Sequence, residues 1–99
     1  MADAEEKPFV FDAGDDETFD ITFDQDISSW TIYFNLTFNS SSIISKEITS
    51  HDDAVNGETS FSLSDTETED LDGNYDYEMR YTTDAGKDET FLKGRMTWV

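Results

Sequence analysis

The sequence predicts an all-β fold, an antiparallel β-sandwich of about seven short strands. Three observations carry this: apolar residues recur with a period of two along most of the chain, turn-forming residues punctuate those runs, and 14% of the residues are aromatic. A period of two sends alternate side chains to opposite faces, so each segment has one face for a core and one for water. With 99 residues there is room for one core, and a chain of this size buries little more than about 60% of the surface it exposes when unfolded. Residues 8–99 are expected to form a single domain behind a flexible acidic segment, residues 1–7.

The opening strand, about Phe9 to Phe11, follows Pro8, whose missing N–H is tolerated at a strand start. In the second strand Phe19, Ile21 and Phe23 alternate with Thr18, Asp20, Thr22 and Asp24. In the third, Trp30, Ile32, Phe34, Leu36 and Phe38 alternate with Thr31, Tyr33, Asn35 and Thr37. The fourth is marked by Ile44, Lys46 and Ile48, and the fifth by Thr59, Phe61 and Leu63. The sixth sets Tyr75, Tyr77, Met79 and Tyr81 against Asp76, Glu78 and Arg80, and the last, from about Thr90 to Val99, carries Leu92, Gly94, Met96 and Trp98 on one face. Gly14-Asp15-Asp16, Asp24-Gln25-Asp26, Asn56-Gly57, Asp72-Gly73-Asn74 and Ala85-Gly86-Lys87 separate these runs. The Ala85-Gly86 connection predicts a hairpin of the last two strands. Only Ser64 to Leu71 reads as helical, for one turn, because Ser64 and Glu67 have the spacing of a capping box. That turn should cross between the sheets. The faces rich enough to fill a core place Trp30, Phe34 and Leu36 against Tyr77, Met79 and Trp98.

Charge sets the setting. Twenty-four Asp and Glu against six Lys and Arg give a formal charge of −18, and such self-repulsion opposes a compact state at ordinary salt. At molar salt the Debye length falls to roughly 3 Å, so carboxylates scarcely repel one another and can hold hydrated cations weakly at the surface. The composition fits a salt-saturated cytoplasm. A disordered acidic tail is excluded by the aromatic content, since disordered acidic chains lack the apolar residues that build cores. No cysteine is present, which removes disulfides, thiolate metal sites and thiol catalysis together. Met1 to Lys7 has no apolar run, and Ile27 to Ser45 alternates in polarity, so neither a signal peptide nor a bilayer helix is expected.

No motif carries catalysis. The single histidine, His51, precedes Asp52 and Asp53, but adjacent strand residues point to opposite faces and lack the spread spacing of a zinc site. Asp70, Asp72, Asn74 and Asp76 echo half of a calcium loop without its closing glutamate. Asn35-Leu36-Thr37 and Asn39-Ser40-Ser41 are formal glycosylation sequons, read here as chance triplets. No serine stands in frame with the histidine, and no Gly-rich phosphate loop precedes a helix. The expectation is no enzyme, no cofactor, no metal, no nucleic-acid binding and no membrane association.

Two features resemble known proteins. Leu71-Asp72-Gly73-Asn74-Tyr75-Asp76-Tyr77 resembles the Gly-x-Tyr-x-Cys segment opening the sixth strand of immunoglobulin-like domains, with Tyr75 as the tyrosine corner and Tyr77 in the cysteine's place. Trp30 stands where such domains place their central tryptophan. Over nearly the whole chain, the order of the first strand, Gly-Asp-Asp turn, Phe19-Asp20-Ile21-Thr22-Phe23, the Trp30 strand, His51-Asp52-Asp53, Asn56-Gly57, Phe61-Ser62-Leu63 and Gly73-to-Glu78 is similar to the small immunoglobulin-like sandwich domains of tailed-virus virion proteins, of the baseplate upper-protein and lower tail-fibre type. With the acid excess, that resemblance implies a version from a virus of halophilic archaea, located in the virion. Members of that family are structural or adhesive, and no catalytic residue carries over.

One stretch departs from the acid background. Ile27 to Ser45 has no charge on either face, and Arg80, Lys87, Lys93 and Arg95, four of the six basic residues, lie in the last hairpin. In an immunoglobulin-like sandwich the third strand pairs with the sixth and the sixth with the seventh, so these join in one sheet. Thr31, Tyr33, Asn35, Thr37, Arg80, Lys93 and Arg95 form the candidate interface, toward other virion proteins or further copies of the chain. The alternatives are an acidic nucleic-acid mimic, which needs carboxylates at phosphate-like spacing on one face, and an adhesion or carbohydrate-binding domain, which needs aromatic residues exposed in loops.

Overall fold

Alternation becomes pairing in the computed structural model, which describes residues 8–99 and the backbone of Glu5–Glu6. The strands are β1 (Glu5–Glu6), β2 (Phe9–Phe11), β3 (Glu17–Thr22), β4 (Thr31–Phe38), β5 (Ser41–Ile48), β6 (Glu58–Leu63), β7 (Gly73–Thr82) and β8 (Asp88–Trp98), with one helical turn, α1 (Asp65–Thr68), between β6 and β7. The seven expected strands are β2 to β8. Of the acidic segment 1–7, expected to be flexible, Glu5–Glu6 pairs in parallel with β8; the rest of that expectation lies outside the described residues.

Two sheets form the sandwich. The larger runs β1-β8-β7-β4-β5, with β2 also on β8, and the smaller is β3-β6. The β4-β7-β8 order is the predicted third-sixth-seventh pairing of the immunoglobulin scheme, while β5 adds to β4 on the outer edge of the same sheet. Phe19, Phe34, Leu36, Phe61, Leu63, Leu71, Tyr77, Met79, Met96 and Trp98 form the main core. Phe19 and Phe61 stack at 4.9 Å across β3 and β6, and Phe61 meets Phe34 of the other sheet at 5.0 Å. That aromatic contact joins the layers.

Trp30 is buried, but not in the middle of a strand. It lies one residue before β4, in a second cluster with Ile27, Ile32 and Tyr81 at one end of the sandwich. Its ring stacks on Tyr81 at 4.3 Å and meets Phe23 edge-on at 5.1 Å. The expected position moved because β3 stops at Thr22, and residues 23–30 form the passage from one sheet to the other. Ile27, fully buried, plugs that passage.

Two connections depend on backbone that a hydrophobic count does not see. Asn39 and Ser40 have φ of 51° and 66°, so they make a two-residue turn between β4 and β5 with both central residues left-handed. Hence β5 begins at Ser41, three residues earlier than expected. In β8, a register shift opposite Met79/Arg80 inserts one extra residue. Such a bulge breaks the strict alternation, so Phe91 reaches the second cluster while its neighbour Leu92 packs on the main core.

The crossover matches its prediction. Ser64 caps α1, accepting a hydrogen bond from the Glu67 amide while the Glu67 carboxylate accepts from the Ser64 amide. Lys46 of β5 pairs with Glu67 at 2.6 Å, tying the turn to the larger sheet. At the start of β7, the Tyr75 hydroxyl accepts from the Asp72 amide at 3.2 Å, the side-chain-to-upstream-backbone contact of a tyrosine corner.

Candidate assembly interface

The outward face of the larger sheet is set by β4. Ile32, Phe34 and Leu36 are buried, and the alternate residues Thr31, Tyr33, Asn35 and Thr37 are half-buried on the opposite face. They stay partly covered because β4 is flanked on both sides, by β5 and β7. Register places Thr37 beside Asp76, Asn35 beside Glu78 and Tyr33 beside Arg80. Across β7, Asp76 lies opposite Arg95 and Glu78 opposite Lys93. All seven predicted interface residues therefore share one face.

Polar contacts tie β5 to β4 on this surface. The Asn35 side-chain oxygen Oδ1 accepts from the Ser42 hydroxyl at 3.0 Å and the Ser45 hydroxyl at 2.9 Å. At the other corner Thr97 donates to Asn74 at 2.7 Å. Arg80 is committed, bonding Asp88 and lying 3.7 Å from Glu78. Lys93 and Arg95, both exposed, make no ion pair among the described residues, although each stands opposite a carboxylate in register. Between the two columns lies an open groove of about 770 Å³ lined by Pro8, Asn35, Thr37, Asp76, Glu78 and Arg95, among others. A smaller hollow of about 270 Å³ adjoins it beside Tyr33 and Arg80.

The face thus carries Lys93 and Arg95 on β8, Asp76 and Glu78 followed by Arg80 on β7, an uncharged column on β4, and Glu47 beside Tyr33 on β5. Arg80, Lys93 and Arg95 against Asp76, Glu78, Asp88 and Glu47 leave it close to neutral, on a chain whose total is −18. The sequence located β4 and the hairpin, but Ser42, Ser45, Asn74 and Thr97 join the face only through register. Their signal was alternation within β5, β7 and β8, which cannot specify which strands lie side by side.

Other candidates from the sequence take structural places. One His51 nitrogen, Nε2, lies 2.9 Å from the Trp30 carbonyl and so carries the hydrogen; Nδ1 lies 2.8 Å from the buried Thr59 hydroxyl. The imidazole thereby links the 49–57 connection to the start of β4 and the inside of β6. Asp53 accepts from the Asn56 side chain at 2.8 Å, closing the turn before β6. Asn74 and Asp76, two positions of the half calcium pattern, sit on the outer face of β7 rather than in a loop. No group of three or more metal-binding side chains occurs among the described residues.

Electrostatics sharpen at the hairpin end. The Tyr81 hydroxyl donates to Glu89 at 2.5 Å and Lys87 lies 3.3 Å from the same carboxylate. The tyrosine hydrogen bond, with the lysine's, holds Glu89 below the usual carboxylate range, and the same bond pushes the Tyr81 phenol up. No protein-family model and no curated protein matches this chain.

Proposed function

We propose that this protein is a non-enzymatic structural component of a tailed-virus particle from a halophilic host, a capsid turret or decoration or a tail or baseplate adaptor. It assembles through the outer face of the β4-β7-β8 sheet. The observation that carries the reading is a nearly neutral, partly grooved sheet face on an otherwise strongly acidic domain, where another protein can approach without a large like-charge penalty. The viral setting rests on the resemblance in strand and turn order, and the halophilic setting on the acid excess.

Incorporation into particles tests it. Tyr33→Asp is the informative variant, because position 33 stands between Arg80 of β7 and Glu47 of β5, and attraction to the first offsets repulsion from the second. An aspartate at position 37 would instead face Asp76, and like charges directly opposite destabilise a sheet. Tyr33→Asp should leave the melting of the isolated domain within about 0.5 kcal/mol of the parent and reduce its content in purified virions. Asp20→Asn, on the exposed side of β3, should incorporate normally. Equal incorporation of both variants overturns the assembly face. Competition between the protein and duplex DNA for a DNA-binding enzyme would favour the acidic-mimic reading instead.

A further inference from the structure

The charge columns on the assembly face are complementary to themselves under one symmetry operation. We infer that two copies of this chain pair face to face through the β7–β8 region, about a two-fold axis parallel to the strands and midway between β7 and β8. This deepens the assembly reading and rests on the same face.

Geometry selects that axis. Because Asp76 is in register with Arg95 and Glu78 with Lys93, a two-fold between the columns sets Asp76 of each copy over Arg95 of the other, and Glu78 over Lys93. Four opposite-charge contacts result. An axis along β7 would stack Asp76 on Asp76 and Glu78 on Glu78, and one along β8 would stack the basic residues on themselves. An axis across the strands through Glu78 would set that acid and Lys93 each over its own copy, and one between Glu78 and Arg80 would pair those two but leave Lys93 over Thr90. Of these placements the intermediate one sets both Lys93 and Arg95 over carboxylates, and so meets the self-complementarity that a two-fold interface demands.

The surroundings agree. Under this operation the uncharged β4 column faces the β1–β2 edge, Asn35 over the row of β1 and Thr37 toward β2, where Pro8 lines the groove and Val10 is 69% exposed. Arg80 meets Thr90 of the second copy, its register partner within its own chain, so no described like charges oppose one another. Stacked sheets lie about 10 Å apart, a gap that an extended arginine or lysine and a short carboxylate bridge together. The groove of about 770 Å³ between the columns gives those long side chains room. Among the described residues neither Lys93 nor Arg95 makes an ion pair, and both are exposed for this contact.

Size decides the strength. Four overlapping strands spaced about 4.8 Å and about 24 Å long cover roughly 900 Å² over both copies, in the class of weak, reversible interfaces. Pairing should therefore appear in a concentration series, and accumulate where a particle holds many copies close together.

The test is a charge swap, read by sedimentation equilibrium in molar KCl with melting curves to verify that each variant is folded. Wild type should self-associate reversibly. Lys93→Glu/Arg95→Glu and Asp76→Lys/Glu78→Lys should each weaken self-association about tenfold or more, and mixing the two should restore it as a one-to-one pair. The second variant discriminates most sharply, since it moves net charge toward zero and general repulsion predicts stronger association. A wild type monomeric at every concentration, a lysine variant that associates more tightly, or a mixture that stays monomeric overturns the pairing. If wild type is monomeric while Tyr33→Asp still blocks incorporation, the pairing fails and the virion reading stands. Paired copies with unchanged Tyr33→Asp incorporation give the reverse.

Discussion

At the scale of single residues, Gly57 shows how much a turn position can hold. Its φ is +79°, and a Cβ there would lie 2.1 Å from the Phe23 carbonyl oxygen and 2.6 Å from that of Gln25. The Phe23 amide also donates to the Gly57 carbonyl at 2.8 Å. Neither backbone oxygen can rotate away, so Gly57→Ala should destabilise the domain by about 3 kcal/mol or more, measured by thermal melting at fixed high salt. The Asn56-Gly57 pair was legible as a turn. That the glycine lies against the 23–25 backbone was not, because the contact spans more than thirty positions of sequence.

Glu67 offers a titration at the same scale. Its carboxylate is held below its ordinary value first by the hydrogen bond from Lys46 and then by the Ser64 amide. A carboxylate depressed in the folded state adds stability above its unfolded pKa and loses it as pH falls through the folded value. Glu67→Gln keeps an acceptor for the cap and removes the charge. The difference in melting temperature between parent and variant should thus be largest near about pH 6 and shrink toward about pH 3. Both are compared in molar KCl, so that general charge repulsion is screened. A gap constant with pH would show that the Lys46 pair contributes nothing.

At the scale of elements, the second cluster decides how the passage between sheets is fastened. Trp30 lies outside β4, but it is only 8% exposed and bridges Phe23, from the passage, to Tyr81, from the last hairpin. Trp30→Ala should therefore cost roughly 3 to 5 kcal/mol, seen as a large drop in melting temperature. Loss of the Tyr81 fluorescence environment should accompany it. The capping box and the hairpin were readable because both are local, fixed by spacings of three to five residues. The bulge beside Phe91 and the turn at Asn39-Ser40 were not, since neither contains a glycine or proline to mark it. Alternation alone carried the period straight through the bulge.

At the scale of the whole molecule, a charge of −18 on 99 residues makes salt the dominant variable. Of the described basic residues Lys46, Arg80 and Lys87 are engaged with carboxylates, so most acids have no cationic neighbour and depend on screening. The melting midpoint should rise steeply from low to molar KCl as the Debye length shortens toward about 3 Å. An unchanged midpoint would remove the halophilic part of the proposal. Self-association should be read in the same salt, where repulsion between copies is weakest and contacts made at short range persist.

Composition and local pattern by themselves determined the all-β class, the seven main strands and the acid excess, because charge, alternation and short-range turn chemistry are written in neighbouring positions. The grouping of the seven face residues also needed the strand pairing of the immunoglobulin-like scheme. Tertiary structure alone decided that Trp30 belongs to a satellite cluster, that Gly57 packs against another loop, and that Asp76 lies opposite Arg95 and Glu78 opposite Lys93. Those facts depend on register between strands far apart in sequence. A slip of one residue would turn each of these side chains to the other face.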